Sequence, residues 1–432
     1  MAIKSGRHIS YFTATSFIVA SMIGTGVFTS LGYQLLNIQS IFSLLILWII
    51  GGFIALTGSL TYGELGTVFP RSGGEYHLLG RVLHPSIGFA AGVVSATVGF
   101  TAPAVLAAIA LGNYFNAVIP NLDESFIAFF VIMILHLIHM TSIKWGTIFQ
   151  DISTIIKIGL IIVFIGFGFL FDNPQKISIY PNASDFLIIM SPSFAIGLVW
   201  VSYAYTGWNS VIYIASEISN PRKNITRTMV ISTLLVMLLY VLLNYIFLYS
   251  TPMDLLTGQV EIGYIAGIQI FGEFGGLIMS GGISIILLST ISSYVYIGPR
   301  IMQIMGEDHW FLSLLKHKNS NNIPINAFWL QLILSIFMIF TSSFEQILMY
   351  AGISLIMTTT LTVLSLFVLR YKEPELKRPY KVLGYPIVPL TFLVVNLWIL
   401  YYSFLESIFE SLMSLGIITI SIIGFNILKV RR

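Results

Sequence analysis

The chain has 432 residues, of which 56% are hydrophobic and only 9% charged, with a net charge of +3 and a mean hydropathy of +0.90. A soluble domain carries charge on roughly a quarter of its residues, so this composition excludes a soluble globule and places most of the surface in lipid. With no cysteine, disulfides, thiolate metal sites and a disulfide-linked partner subunit are excluded; no nucleic-acid partner, cofactor or metal is expected.

Runs of about 20 apolar residues mark spanning helices. Twelve are read in chain order, at roughly 9–35, 41–67, 86–115, 124–143, 147–171, 187–215, 226–250, 267–298, 324–341, 344–369, 385–405 and 409–429. The first run is too long for a cleavable leader. With both termini in the cytoplasm, the basic residues from Lys4, Arg7, Arg71, Arg81 and Lys144 through Arg222, Arg300 and Arg370 to Lys429, Arg431 and Arg432 all fall inside, and only Lys176 falls outside. This is a strong positive-inside bias, expected of a multi-pass plasma (inner) membrane protein.

The first span contains "SMIGTGVF", Ser21 to Phe28, with two glycines and a threonine in an apolar run. Such residues weaken a helix, and an unwound turn in lipid costs several kcal/mol per unpaired backbone group unless it lines a polar cavity. After the second span, "PRSGGEYHLLG" breaks the helix with a proline and two glycines. Tyr76, Leu78 and Leu79 then give a short apolar face, read as an interfacial segment helping to close the inner path. In the fourth span His136 and His139 share a face, with no adjacent carboxylate to complete a metal site; two half-buried histidines near the inner end are expected. In the fifth span Lys157 lies ten residues past Thr147, about 15 Å deep at 1.5 Å per residue. A lysine there costs at least about 2.5 kcal/mol, and from mid-depth it reaches the interface poorly.

The sixth span carries "SYAYTGWN", Ser202 to Asn209, which shares S-x-x-x-T-G with the first: Ser21, Thr25 and Gly26 match Ser202, Thr206 and Gly207, each offset by 181. Each motif interrupts the first helix of a block of five spans. Five is odd, so the blocks run in opposite orientation: a 5+5 inverted repeat over 1–172 and 187–370, followed, after the basic loop "RYKEPELKRPYKVLGYP", by a two-helix appendix at 385–430. Interrupted helices at corresponding positions of two halves are the best sequence pointer to a transporter binding site. "EISNPRKN" after the sixth span reads as a turn, with Glu217 pairing Arg222 or Lys223.

At these residues the sequence resembles the amino acid–polyamine–organocation (APC) permeases, near the L-amino acid transporter branch. "IGTGVF", "PRSGGEYHLLG" and "YAYTGWNSVIYIASEISNPRKNITR" carry the resemblance, and spacing extends it over all twelve spans. It implies the leucine-transporter fold, alternating access and amino acid substrates. Tyr203 stands where the L-type branch usually has a gating phenylalanine, and the lack of cysteine removes the heavy-chain disulfide of animal relatives. The resemblance also implies that Tyr203 is the outer gate, with Trp208 beside the break.

The half-helix after the first break offers a positive dipole end and free amides to a carboxylate, from Thr25, Gly26 and Val27 with the Thr25 hydroxyl. Carbonyls of Ile23, Tyr203, Ala204 and Thr206 suit the substrate ammonium, and Gly26 and Gly207 permit close backbone approach. By the resemblance, Lys157 takes the place of a second sodium. It is expected to dock its ammonium on carbonyls of Ser21 and Met22 and on hydroxyls of Ser289, Ser292 or Ser293, and to be able to carry a coupling proton. Acids Glu64, Asp151, Glu217, Glu273 and Glu345 fall at helix ends or loops, away from the breaks, which favours neutral over dibasic substrates. No phosphate loop or nucleophile motif is present. The expectation is therefore not an enzyme but a sodium-independent secondary transporter of neutral L-amino acids, as proton symporter or exchanger. The alternatives are a cationic amino acid or polyamine exchanger, an amino acid sensor of the same fold, and a channel.

Overall fold

The computed structural model describes residues 9–119, 121, 123–141 and 143–430. Expectations resting on Lys4, Arg7, Arg431, Arg432 and the Lys144 side chain lie outside the described residues.

Among the described residues the regular elements are helices, apart from one isolated bridge between Ile9 and Ile218. In order come α1 (Tyr11–Met22), α2 (Thr25–Gln34), α3 (Ile41–Val68), α4 (Gly74–Val82), α5 (Pro85–Val94), a π segment (Ser95–Gly99) and α6 (Thr101–Val118). Then follow α7 (Glu124–His139), α8 (Ile143–Phe169), α9 (Ala183–Ile189), α10 (Pro192–Ala204), a 3-10 segment (Ser210–Glu217), α11 (Pro221–Ser250), α12 (Met253–Leu256) and α13 (Ile262–Asp308). A 3-10 turn (Trp310–Lys316), α14 (Ile325–Thr341), α15 (Phe344–Lys372), α16 (Ile387–Glu406) and α17 (Ile408–Val430) complete it. The starts are encoded locally. Ser10, Ser40 and Ser343 cap the amides three residues on, and Pro192 and Pro221 occupy first-turn positions that need no amide donor.

Among the described residues nine helices are long and apolar enough to cross a membrane, counting α1–α2 and α5–α6 as one each. A tenth is the pair α9–α10, bent by 63° at its junction, and α7 and α14 are shorter apolar helices. The span Tyr11–Gln34 is 94% buried inside the protein, whereas Ile408–Lys429 is 22% buried. The interrupted first helix is thus a central element of the bundle and α17 a peripheral one.

Two expected spans are shaped differently. The run at 187–215 is not one helix: α10 ends at Ala204, and a turn leads into the 3-10 segment. The run at 267–298 lies within the longer α13, whose backbone breaks at Gly272 (φ +76°). The start of the seventh span moves back to Pro221, because Asn220 takes the left-handed conformation (φ 50°) that ends the preceding turn. α16 packs on α3, α10 and α15, and α17 on α5 and α15. The basic loop before them is pinned rather than free: Glu64, fully buried on α3, holds Arg370 (2.6 Å), Arg378 (3.1 Å) and the Val382 amide (2.8 Å).

Candidate functional site

The first break falls at Ile23 and Gly24. Ile23 is extended (φ −75°, ψ 93°), and Gly24 (φ −140°, ψ −145°) has no side chain with which to cap the amides that open α2. The second break lies between Ala204 and Ser210, where Gly207 adopts φ +103°. The two breaks touch. A Cβ on Gly26 would meet the Ala204 Cα at 2.4 Å, and one on Gly207 would meet the Ser21 Cβ at 2.6 Å. Each broken helix therefore has a glycine where the other's backbone presses closest. The Tyr203 side chain stands beside that of Thr25, so the two breaks also face each other there. Val27 is fully buried beside it.

Lys157, on α8, has no exposed surface. Its ammonium donates to the carbonyls of Ala20 (3.1 Å) and Ile23 (2.6 Å) and to the Thr290 hydroxyl (2.9 Å). An ammonium has three protons, and all three are placed. The expected docking between the first, fifth and eighth spans is observed, but not on the expected atoms. Ser292 accepts or donates a bond with His139 Nε2 (2.8 Å), and Ser293 bonds the Ser21 hydroxyl (3.0 Å). The Ser21 carbonyl is taken by the Tyr294 hydroxyl (2.7 Å) and the Met22 carbonyl by Tyr240 (2.5 Å). The reason is helix phase: Thr290, Ser293 and Tyr294, spaced i, i+3 and i+4, form the stripe of α13 that faces α1, and Ser292 points to α7. The Ile23 carbonyl also accepts from Thr290 (2.8 Å). Both its lone pairs are used, so in this conformation it is not open to a substrate ammonium.

Tyr240, on α11, was not visible as a site residue in the sequence. Its hydroxyl lies within hydrogen-bond reach of both the Met22 carbonyl (2.5 Å) and the Ala204 carbonyl (3.1 Å), one from each break. Thr206, Gly207 and Trp208 line a cavity of about 50 Å³ with Ser202, Gly352 and Asn396. Thr25, Gly26 and Val27 do not line it. Trp208 stands edge-on to Tyr62 at 4.7 Å. A cavity that size holds a few waters, so the two breaks are closed onto each other here.

Below the second break lies a polar vestibule of about 440 Å³, lined by Arg71, Ser72, Tyr213, Glu217, Arg300 and Glu307 among others. Glu217 pairs with Arg300 (3.3 Å), not with Arg222 or Lys223; α13 brings Arg300 over the end of the 3-10 segment. The segment "GGEYHLLG", read as an interfacial segment with an apolar face, lies in a short helix, α4, with Tyr76, Leu78 and Leu79 buried. Its Tyr76 hydroxyl reaches Asp308 (2.9 Å) and His309 (3.0 Å). His136 and His139 are fully buried rather than half-buried, His136 bonding the Ile132 carbonyl (2.8 Å).

Comparison with known proteins follows this geometry. The chain is 28% identical over 425 residues to the human large neutral amino acids transporter small subunit 2, covering 91% of this chain and 76% of that protein. It is 27% identical over 404 residues to the serine/threonine exchanger SteT of Bacillus subtilis (strain 168), covering 91% and 90%. It is 27% identical over 418 residues to the mouse Asc-type amino acid transporter 1, covering 93% and 77%. Residues 9–425 match the family described as amino acid permease. With its paired helix breaks and multiple apolar spans, the chain belongs to the amino acid permease family of the APC superfamily, near the L-amino acid branch.

Proposed function

We propose that this protein is a sodium-independent secondary transporter of neutral L-amino acids, working by alternating access as an exchanger or proton symporter. The observation that carries the proposal is the meeting of two interrupted helices with a buried lysine at their crossing. Unpaired amides at Thr25, Gly26 and Val27 suit a carboxylate, carbonyls at Tyr203, Ala204 and Thr206 suit an ammonium, and neither needs a charged side chain. Lys157 fills, with its own ammonium, the place where a coupling cation would meet the Ala20 and Ile23 carbonyls. The names of the relatives, large neutral amino acid transporter and serine/threonine exchanger, agree with a zwitterionic substrate.

In this reading α7 and α14 cross the membrane with the ten longer spans, giving twelve crossings. Residues 1–172 and 187–370 are inverted repeats, and 385–430 is the appendix. The near-reciprocal contacts of Gly26 with Ala204 and Gly207 with Ser21 support that symmetry. Both termini face the cytoplasm of a cell whose plasma (inner) membrane holds the protein, and the vestibule beside Arg71 and Arg300 opens there. Tyr203, beside Thr25, gates the outer path. With no cysteine in the chain, no disulfide-linked partner forms. A dibasic substrate would need an open carboxylate near the breaks. The acid that touches the second break, Glu75, directs both oxygens to Tyr62, Asn209 and Tyr213.

The test is counterflow of labelled alanine, serine, leucine and phenylalanine into proteoliposomes preloaded with unlabelled amino acid, with and without sodium. Saturable, stereospecific, sodium-insensitive uptake is expected. No stimulation by any of the four overturns the proposal.

A further inference from the structure

Glu75 is the second residue of α4 and is 2% exposed. Its Oε1 accepts from the Tyr62 hydroxyl of α3 (3.0 Å) and from Asn209 Nδ2 at the second break (2.5 Å), and its Oε2 accepts from the Tyr213 hydroxyl of the 3-10 segment. No ion pair among the described residues includes it. The charged and titratable groups around it are engaged elsewhere. On α4, Tyr76 bonds Asp308 and His309, His77 stands against Phe69, and Arg81 pairs with Glu373. On α3, Glu64 is neutralised by Arg370 of α15 and Arg378. Tyr62 and Tyr213 are the titratable groups that face the carboxylate.

We propose that Glu75 is a proton-binding site joining the vestibule to the break in the sixth span, and that its occupancy sets how firmly α4 is latched to the 210–217 segment. This rests on the transport reading above, to which it adds the place where a proton acts. Two observations carry it. Tyr213 lines the vestibule and bonds Glu75, so it is the contact between them. The surroundings also accommodate both protonation states. With the carboxylate ionised, Tyr213 donates to it. When hydronium in the vestibule breaks one O–H bond, leaving water, and its proton forms an O–H bond with Oε2, Glu75 becomes the donor to Tyr213. Tyr213 then turns its own proton to Ser95 Oγ (2.8 Å), whose hydroxyl donates to the Ala91 carbonyl (2.8 Å). No group is left unpaired in either state. Gly74 makes the arrangement possible: its φ is +55°, and a Cβ there would meet the Tyr213 ring at 2.3 Å.

Burial raises the Glu75 carboxyl above its ordinary range, against the opposing pull of the bonds from Tyr213, Tyr62 and Asn209. The sign follows by linkage. A carboxyl that binds its proton more tightly when packed than in water favours the packed, latched state when protonated, and releases the proton as α4 opens. Acid therefore slows opening towards the vestibule.

The test uses the full chain in proteoliposomes with equal pH on both sides. Wild-type counterflow is expected to fall on acidification, while Glu75→Gln, which is permanently neutral, runs at the wild type's acid-limit rate at every pH. Tyr213→Phe removes a donor to the ionised form and should move the wild-type midpoint to higher pH. Independently of transport, pH-step infrared difference spectra should show a protonated carboxyl band that is lost in Glu75→Gln. A wild-type pH profile in Glu75→Gln, an unmoved midpoint in Tyr213→Phe, or no carboxyl band lost overturns the proton site. A wild type that moves no neutral amino acid overturns the transport reading instead, leaving the spectroscopic result to decide Glu75.

Discussion

The Lys157 ammonium lies 2.6 Å from the carbonyl oxygen of Ile23, the residue at which α1 stops being a helix. One side chain from α8 thereby props open the backbone that α1 cannot satisfy itself. Lys157→Ala removes that support and leaves the Ala20 carbonyl without this donor, at about 1–3 kcal/mol for an orphaned buried acceptor. Counterflow should be lost while the protein still folds, as judged by a detergent melting curve. Wild-type uptake in that variant would sink the coupling role.

Gly26 and Gly207 predict a steric outcome. Gly26→Ala would place a methyl 2.4 Å from the Ala204 Cα, which is backbone and cannot step aside. Overpacking of this kind costs about 1–3 kcal/mol. Gly207→Ala adds backbone strain, because φ +103° is disfavoured for any residue with a Cβ. Both variants should melt earlier and lose amino acid binding by isothermal titration. A Gly207→Ala protein with unchanged melting would contradict the packing described here.

Tyr240→Phe isolates a single hydroxyl. The ring contacts with Trp48 (5.6 Å) and Tyr205 (5.0 Å) would remain, while the Met22 and Ala204 carbonyls lose their shared donor. A loss of about 1–3 kcal/mol in stability is expected, together with slower counterflow, since this hydroxyl spans the two halves of the site. Unaltered kinetics with unaltered stability would show that the bridge is incidental.

Arg370 and Arg378 both hold Glu64, which has no exposed surface. Removing every partner of a buried charge costs about 3–5 kcal/mol, most of it from the charge left behind. Arg378 and the Val382 amide remain on Glu64 in Arg370→Ala, so that variant should lose less than this. The double variant Arg370→Ala/Arg378→Ala should lose the most, with Glu64→Gln restoring part of the double variant's loss. Additive melting shifts on adding Glu64→Gln would argue that the charges are not coupled.

The apolar spans, the interruption at Gly24 and the presence of Lys157 inside an apolar span were legible along the chain, because each depends on local composition. The partners of Lys157 were not. Adjacent residues on a helix point about 100° apart, so Thr290 rather than Ser292 or Ser293 meets the ammonium only because of how α13 is rotated against α1. Glu75 was illegible for a different reason: an acid in a short glycine-rich segment reads as surface. It is buried because α3 and the 3-10 segment close over α4. The bend between α9 and α10 does have a local mark, the Ser191 cap and Pro192, which the apolar run around it hides.

The sequence by itself thus determined that this is a membrane permease with two weakened helices and one lysine inside an apolar span. Hydropathy, glycine and charge act through nearest neighbours in the chain, and they carry that information directly. Only the tertiary structure decided which groups satisfy the broken backbone, that the two breaks press against each other at Gly26 and Gly207, and that Tyr240 and Glu75 stand at their junctions. Those outcomes depend on the rotation and crossing of helices distant in sequence. That geometry is set by packing across the whole bundle and not by any one segment.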